Sequence, residues 1–294
     1  KFKSSLAIDG VKQILWGFFK KVVIADNCAI YVNQIFDNPE VYSGSTLFIG
    51  AFLFTFQIYG DFSGYSDIAI GTAKLFGIRL SQNFAFPYFS KNIAEFWKRW
   101  HISLSTWFRD YLYIPLGGSR GSRLLRIRNV LLVFLISGLW HGANWTFIIW
   151  GAVHALLFLS VILLPLITPQ ASLAAVRGEI LPGLGNLFRI AFTFIIVVLT
   201  WVVFRAKSLK ESFYIYSDIF SASIFEEPQV LPGLILLLII FFMSIEWCGR
   251  KDEHALELIF SSKPRIFRTI FYIGLAFMIY MFQGKQQEFI YFQF

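Results

Sequence analysis

Long stretches without charged side chains are the feature that most restricts what this chain can fold into. The longest stretch runs from Asn129 to Val176 and contains no Asp, Glu, Lys or Arg. A charge is costly in the bilayer core and a helical span needs about 20 apolar residues, so this stretch is long enough for two spans. Continuous apolar runs without period-two alternation favour helices over strands. The sequence therefore predicts an all-α fold, namely a polytopic transmembrane helical protein with interfacial or re-entrant helices.

Four further uncharged stretches bring the predicted number of spans to six. They are Val41–Gly60, Ile190–Phe204, Pro228–Ile245 and Thr269–Gly284. The turn between the two spans of the longest stretch is predicted at His141-Gly142-Ala143-Asn144. Only 15% of the residues are charged, against about 25% in soluble domains, which excludes an ordinary soluble protein. The 2 cysteines lie far apart and form neither a disulfide framework nor a metal-ligand spacing.

Two basic clusters predict which loops face the cytoplasm. The first contains Arg120, Arg123, Arg126 and Arg128, and the second contains Arg250, Lys251, Lys263, Arg265 and Arg268. Four predicted spans separate them, so both fall on one side, which the positive-inside rule assigns to the cytoplasm. The turn at His141 then faces outward. Membrane loops thus explain the net charge of +8 better than a nucleic-acid surface does.

Two segments fit neither a clean span nor a loop. Val11–Asp26 is apolar but carries three lysines, as an interfacial amphipathic helix does. In Phe84–Gly118, side chains recur at helical spacing and predict one amphipathic helix that Pro115 and the glycines after it stop. The aromatic and apolar face holds Trp97, Trp100, Leu104 and Trp107, and the polar face holds Lys98, His101, Ser105 and Arg109. Such a helix belongs at an interface or a water-filled cavity.

The four histidines are unequal candidates for chemistry. His141 ends an uncharged apolar helix, where an imidazole is suited to acid–base catalysis, although an interfacial histidine bound to a carbonyl fits equally well. His101 either lines a cavity near a charged or thioester donor or is an ordinary interfacial residue. His154 lies inside an apolar helix and is predicted to be a hydrogen-bonded packing residue. His254 lies in a charged loop, where we expect it to be solvated.

Polar side chains are dense in the segment Gln57–Asp67, directly after a predicted span. Asp61 or Ser63 is suited to be the N-cap of a following helix. Alternatively, Asp61 and Asp67 are proton- or ion-coupling carboxylates of a transporter. Their spacing puts them on different helical faces, so a shared-proton pair is not expected.

Five ordered motifs together resemble a known family. They are Asp61–Gly71, Asn83–Tyr88, Phe96–Ser105, Trp107–Gly118 and Gly138–Gly142. In this order they are similar to the membrane-bound O-acyltransferase (MBOAT) family, most closely to its bacterial branch of alginate O-acetylation proteins, with the D-alanyl transfer proteins more distant. The tail Gln287–Phe294 is also similar to that branch. Family members have further N-terminal helices, so we expect residues 1–294 to be a single MBOAT transmembrane domain that is N-terminally truncated.

The resemblance implies an enzyme, an O-acyltransferase and most specifically an O-acetyltransferase, of the bacterial cytoplasmic (inner) membrane. It would take the acyl group from a cytoplasmic thioester such as acyl-CoA, with no bound cofactor or metal, and deliver it to an exported polysaccharide. Periplasmic or extracellular partner proteins would complete the transfer, and no nucleic acid is involved. A polysaccharide or ion transporter and a scaffold subunit of a secretion complex are the rival functions.

The resemblance also implies roles for individual residues. The family's two signature histidines correspond to His101 and His141, with His141 as the catalytic one. Substrate- or donor-binding roles are predicted for Trp100, Arg109, Asp110, Asn144, Asp61 and Ser63.

Overall fold

The computed structural model describes residues 3–163, 182–284 and 289. Within these ranges the regular elements are helical, which confirms the predicted all-α class. The α-helices are α1 (Ser4–Phe18), α2 (Asp26–Asp37), α3 (Gly44–Leu75), α4 (Ile93–Arg99), α5 (Ile102–Phe108), α6 (Arg123–His141), α7 (Trp145–Leu163), α8 (Leu184–Arg205), α9 (Leu209–Ile219), α10 (Gly233–Gly249) and α11 (Arg265–Met281). Short π-helical segments follow α1 and α5.

Three of the described helices are long and apolar enough to cross a membrane, namely α6, α7 and α8. Helix α10 is apolar but has only 17 residues. Helices α3 and α11 cover the two other predicted spans but do not have this combination of length and apolarity, so the predicted count of six is not reproduced within the described ranges. The end of the longest uncharged stretch, beyond Leu163, and most of the tail at 287–294 lie outside the described residues.

The chain divides into two compact units. The first contains residues 1–85 and 218–294, and the second contains residues 86–217. That residues 1–294 form a single transmembrane domain stays a prediction.

In the first unit, helix α3 packs closely against α1. The backbones approach so nearly that a Cβ atom added at Gly64 would lie 2.8 Å from the carbonyl oxygen of Gly17. Only small residues permit such an approach between apolar helices. The close contact brings polar side chains of α3 within reach of lysines that follow α1.

Helix α3 continues without a break from Gly44 to Leu75. The expectation that Asp61 or Ser63 starts a new helix is therefore wrong. The carboxylate of Asp61 instead lies 2.6 Å from the Nζ of Lys21, and Ser63 is buried inside the helix. Because a lysine from a neighbouring segment satisfies the aspartate, the helix does not have to end there.

Lys20 forms the centre of a buried ionic cluster. Its Nζ lies 2.9 Å from Asp67 and 3.0 Å from Glu246 of α10. Glu246 also accepts hydrogen bonds from Trp16 Nε1 at 2.8 Å and from Tyr59 Oη at 2.6 Å. Lys20 is one of the three lysines of Val11–Asp26, the segment that the sequence assigned to an interfacial amphipathic helix. In the structure its side chain is buried, within the π-helical segment Phe19–Ala25, and its opposite charges lie on distant parts of the sequence.

A second cluster corrects the prediction for His254. This side chain was expected to be solvated, but it is buried and its Nε2 lies 2.9 Å from Asp9 Oδ1. Lys74 donates to the other carboxylate oxygen of Asp9 at 2.6 Å. Burial raises the pKa of Asp9, but the hydrogen bonds from His254 and Lys74 outweigh it and hold that pKa below its usual range.

We predict that Lys20→Met destabilises the protein because it leaves the buried Glu246 and the partly buried Asp67 without their cation. Breaking a buried ion pair on one side costs about 3–5 kcal/mol, so the melting temperature of the full-length protein in detergent should fall by several degrees. Lys251→Met, which removes an exposed lysine of the same unit, is the matched control and should leave the melting temperature unchanged. Equal stability of the Lys20→Met variant and the wild type would contradict the assignment.

Candidate functional site

Helices α6 and α7 form a tightly packed antiparallel pair in the second unit. A Cβ atom at Gly138 would clash with the carbonyl oxygen of Phe147, and one at Gly151 would clash with that of Phe134. The two backbones therefore touch at two levels, which fixes the end of α6 relative to α7.

The turn between these helices lies where the sequence predicted it, because α6 ends at His141 and α7 begins at Trp145. Asn144 stabilises the turn. Its Oδ1 accepts from the backbone N–H of Thr146 at 3.1 Å, and its Nδ2 donates to the carbonyl oxygen of Lys207 at 3.2 Å. In the structure Asn144 thus connects the turn to the segment after α8.

Three aromatic rings pack against the imidazole of His141, which is partly buried. Ring centroids lie 5.0 Å away for Trp140, 5.4 Å for Trp150 and 5.3 Å for Phe204, all close to perpendicular. His141 belongs to α6, Trp150 to α7 and Phe204 to α8. The three membrane-capable helices therefore meet at this histidine, and edge-to-face packing restricts the orientation of its ring.

His101 lies at a break between two helices. It has φ 45° and ψ 55°, a left-handed conformation that a non-glycine residue adopts only at an energetic cost. The prediction of one continuous amphipathic helix is therefore wrong, since α4 ends at Arg99 and α5 begins at Ile102. The break turns Trp100 and His101 inward, where both are buried. Among the predicted stops, Pro115 does lie in a turn that ends the helical segment.

The two signature histidines lie near each other within this unit. The ring of His101 is 6.3 Å from that of Trp140, and Trp140 in turn contacts His141. Burial and, to a smaller extent, the proximity of His141 lower the pKa of His101 to about 3, so the His101 imidazole is neutral at physiological pH.

Local hydrogen bonds hold α4, the helix that precedes His101. Asn92 caps it by accepting from the backbone N–H of Glu95 at 2.8 Å. Glu95 reaches back to the backbone N–H of Lys91 at 2.8 Å and pairs with Arg99 at 2.6 Å. This arrangement resembles a capping box combined with an i,i+4 ion pair, and all of its side chains except that of Asn92 are buried.

The other predicted site residues lie in varied surroundings. Trp100 is buried and its ring packs 5.2 Å from that of Trp201. Arg109 and Asp110 form an exposed ion pair with each other at 2.8 Å, outside the aromatic rings that enclose His141. Asp61 and Ser63 belong to the first unit, inside α3.

Sequence reasoning missed the residues that enclose the histidines, namely Trp150, Trp201 and Phe204. Their rings contact one another, and Trp150 and Trp201 stack at 5.7 Å. The available signal was the four-residue spacing of Trp150 and His154 on one face of α7.

The chain is similar to a known protein family and to several named bacterial proteins. The profile of the membrane-bound O-acyltransferase family matches residues 3–204. The chain is 40% identical over 262 residues to the probable alginate O-acetylase AlgI of Azotobacter vinelandii. The aligned region covers 87% of this chain and 50% of that relative. It is 44% identical over 196 residues to the peptidoglycan O-acetyltransferase of Helicobacter pylori, and that alignment covers 67% of this chain and 36% of the relative. It is 33% identical over 163 residues to the teichoic acid D-alanyltransferase of Bacillus subtilis, and that alignment covers 52% of this chain and 41% of the relative. The chain thus spans about half the length of the first of these relatives.

The conformation of His101 predicts that two substitutions there will differ in stability. Asparagine tolerates the left-handed region, whereas a β-branched residue does not. We expect His101→Val to unfold at a lower temperature than His101→Asn, by about 1–2 kcal/mol in free energy. Thermal unfolding of the purified full-length protein measures this difference. Equal stability would mean that residue 101 is not held in this conformation.

Proposed function

The chain belongs to the membrane-bound O-acyltransferase family, and on that premise we propose that the full-length protein esterifies an exported polysaccharide. The acyl group is acetyl, as in the names of the alginate and peptidoglycan relatives. The donor is a cytoplasmic thioester such as acyl-CoA. The acceptor is a hydroxyl group of the polymer, or first a partner protein that acylates the polymer outside the cell.

The observation that carries this proposal is the position of His141, at the end of a membrane-capable helix and against Trp150 and Phe204 of two others. We assign it the role of general base. It takes the proton of the acceptor hydroxyl as the hydroxyl oxygen attacks the acyl carbonyl carbon. The new ester C–O bond forms, the C–S bond breaks, and the proton passes to the leaving thiolate. Acid–base assistance of this kind contributes about 100- to 10,000-fold in rate.

The ends of α6 support opposite roles for the two membrane faces. Helix α6 has 19 residues, so about 27 Å along its axis separates Arg123 from His141, close to the thickness of the hydrocarbon core. Arg120, Arg123 and Arg128 are exposed at the first end. An anionic thioester such as acyl-CoA is attracted to such a basic cluster. We propose that the donor enters at this cytoplasmic end and that the acceptor approaches the His141 end from outside.

A tunnel that joins the two faces would let the acyl group cross while the rest of the donor stays in the cytoplasm. In this proposal His101 shapes the donor side of the reaction centre together with Trp100. Arg109 and Asp110, an exposed pair, bind the donor nearer the surface. The localisation that fits is the bacterial cytoplasmic membrane, where secreted partner proteins receive the acyl group.

The ionic clusters of the first unit argue against the transporter alternative. Asp61 is paired with Lys21, and Asp67 is paired with Lys20. A coupling carboxylate has to exchange its proton or ion during each cycle, whereas these two are engaged with lysines that also contact Asp26 and Glu246. We therefore interpret Asp61 and Asp67 as structural residues.

The test compares full-length protein with His141→Ala and Asp67→Asn variants at matched membrane expression. Alkali-labile ester on the exported polysaccharide is measured, together with the amount of polymer exported. We expect His141→Ala to abolish the ester while export continues, and Asp67→Asn to retain ester formation per folded protein. Loss of export with Asp67→Asn while ester persists with His141→Ala would instead support a transporter.

A further inference from the structure

His154 is a buried histidine that the proposed chemistry does not use. It lies on α7 and is fully enclosed by protein. Its Nδ1 accepts a hydrogen bond of 3.2 Å from Nε1 of Trp97 on α4. The sequence predicted a hydrogen-bonded packing residue at this position, and this bond confirms that prediction.

The identity of the donor fixes the tautomer of His154. An indole N–H can only donate, so Nδ1 of His154 carries no proton and the neutral ring has its proton on Nε2. Nε2 is buried and has no hydrogen-bond partner among the described residues. The ring of Trp150, one helical turn away on α7, packs against the imidazole of His154, with 4.8 Å between the ring centroids.

This arrangement is costly for stability. A buried donor without an acceptor costs about 1–3 kcal/mol, whereas replacing both members of a hydrogen-bonded pair by apolar groups of similar shape is nearly neutral. Phenylalanine at positions 97 and 154 would leave no N–H group unpaired, at the loss of part of the indole packing on Phe134 and Trp150. The orientation that this hydrogen bond imposes therefore explains the pair better than its contribution to stability does.

The pair connects the two segments that carry the signature histidines. Trp97 belongs to α4, which ends two residues before His101. His154 contacts Trp150, and the ring of Trp150 lies against that of His141. A hydrogen bond has a direction and a fixed length, so it sets the register of α4 on α7 more narrowly than ring packing alone.

We propose that His154 is a positioning residue: through its bond to Trp97 and its contact with Trp150 it sets the placement of His101 relative to His141. The inference rests on the proposed acyltransferase function, because the geometry matters only if both histidines serve one reaction. His154 itself touches neither substrate nor the reacting atoms.

The test uses the full-length protein with Trp97→Phe, His154→Phe and the double variant, at matched membrane expression. Each single variant leaves one buried partner unpaired, so both stability and ester formation should fall. The double variant removes both partners, so its melting temperature should rise above that of either single variant. We expect its turnover number to remain about tenfold or more below wild type, since small misplacement of catalytic groups has effects of this size. The KM for the acceptor should change little.

Two further variants sharpen the result. In His154→Asn, Oδ1 takes the place of Nδ1 and can accept from Trp97, so this variant should recover turnover relative to His154→Phe. Ser160→Ala, at an exposed position on the same helix, is the matched control and should behave as wild type. Full turnover of the stable Trp97→Phe/His154→Phe double variant would overturn the inference, as would failure of His154→Asn to improve on His154→Phe.

Failure of the proposed function would look different. If His141→Ala forms as much ester as wild type, or if wild type forms none, the acyltransferase assignment fails and the inference fails with it. If His141→Ala is inactive while the double variant is fully active, only the positioning role of His154 is refuted.

Discussion

Polar side chains that are buried among apolar helices must find their partners within the protein, because lipid offers none. This constraint shapes both units. In the first, Lys20 satisfies Asp67 and Glu246, and Lys21 satisfies Asp61. Each pair joins segments that are distant in sequence, so the charges determine how the apolar helices assemble. Because a buried charge without its partner is far more costly than an exposed one, the clusters specify one arrangement of α1, α3 and α10.

The second unit meets the same constraint with hydrogen bonds, aromatic rings and the buried ion pair of Glu95 with Arg99. Glycines at 138 and 151 bring α6 and α7 into backbone contact, and the rings of Trp150 and Phe204 then enclose His141. A histidine held in this way has few alternative orientations. His141 itself stays partly exposed at the end of α6.

The helix break at His101 also shapes the candidate site of the second unit. The left-handed residue ends α4 and redirects the chain into α5, and Trp100 and His101 at this break are both buried. Backbone strain at a residue that faces a candidate reaction centre is typical of functional sites, where surrounding structure compensates for it. The anchored α4 helix, with Asn92 and Glu95 at its start, supplies part of that compensation.

The sequence by itself determined the all-α class and the turn at His141 to Asn144, and it singled out His101 and His141 as candidates, because uncharged runs and ordered motifs are local in the chain. It also identified His154 as a packing histidine. Only the tertiary structure decided that Lys20 and His254 are buried, that α3 runs through Asp61, and that a helix breaks at His101. Each of these depends on a partner more than 30 residues away or on an enclosing surface from other helices. Local periodicity carries no information about such partners, so the pairing of charges and the enclosure of His141 emerge only when the helices pack.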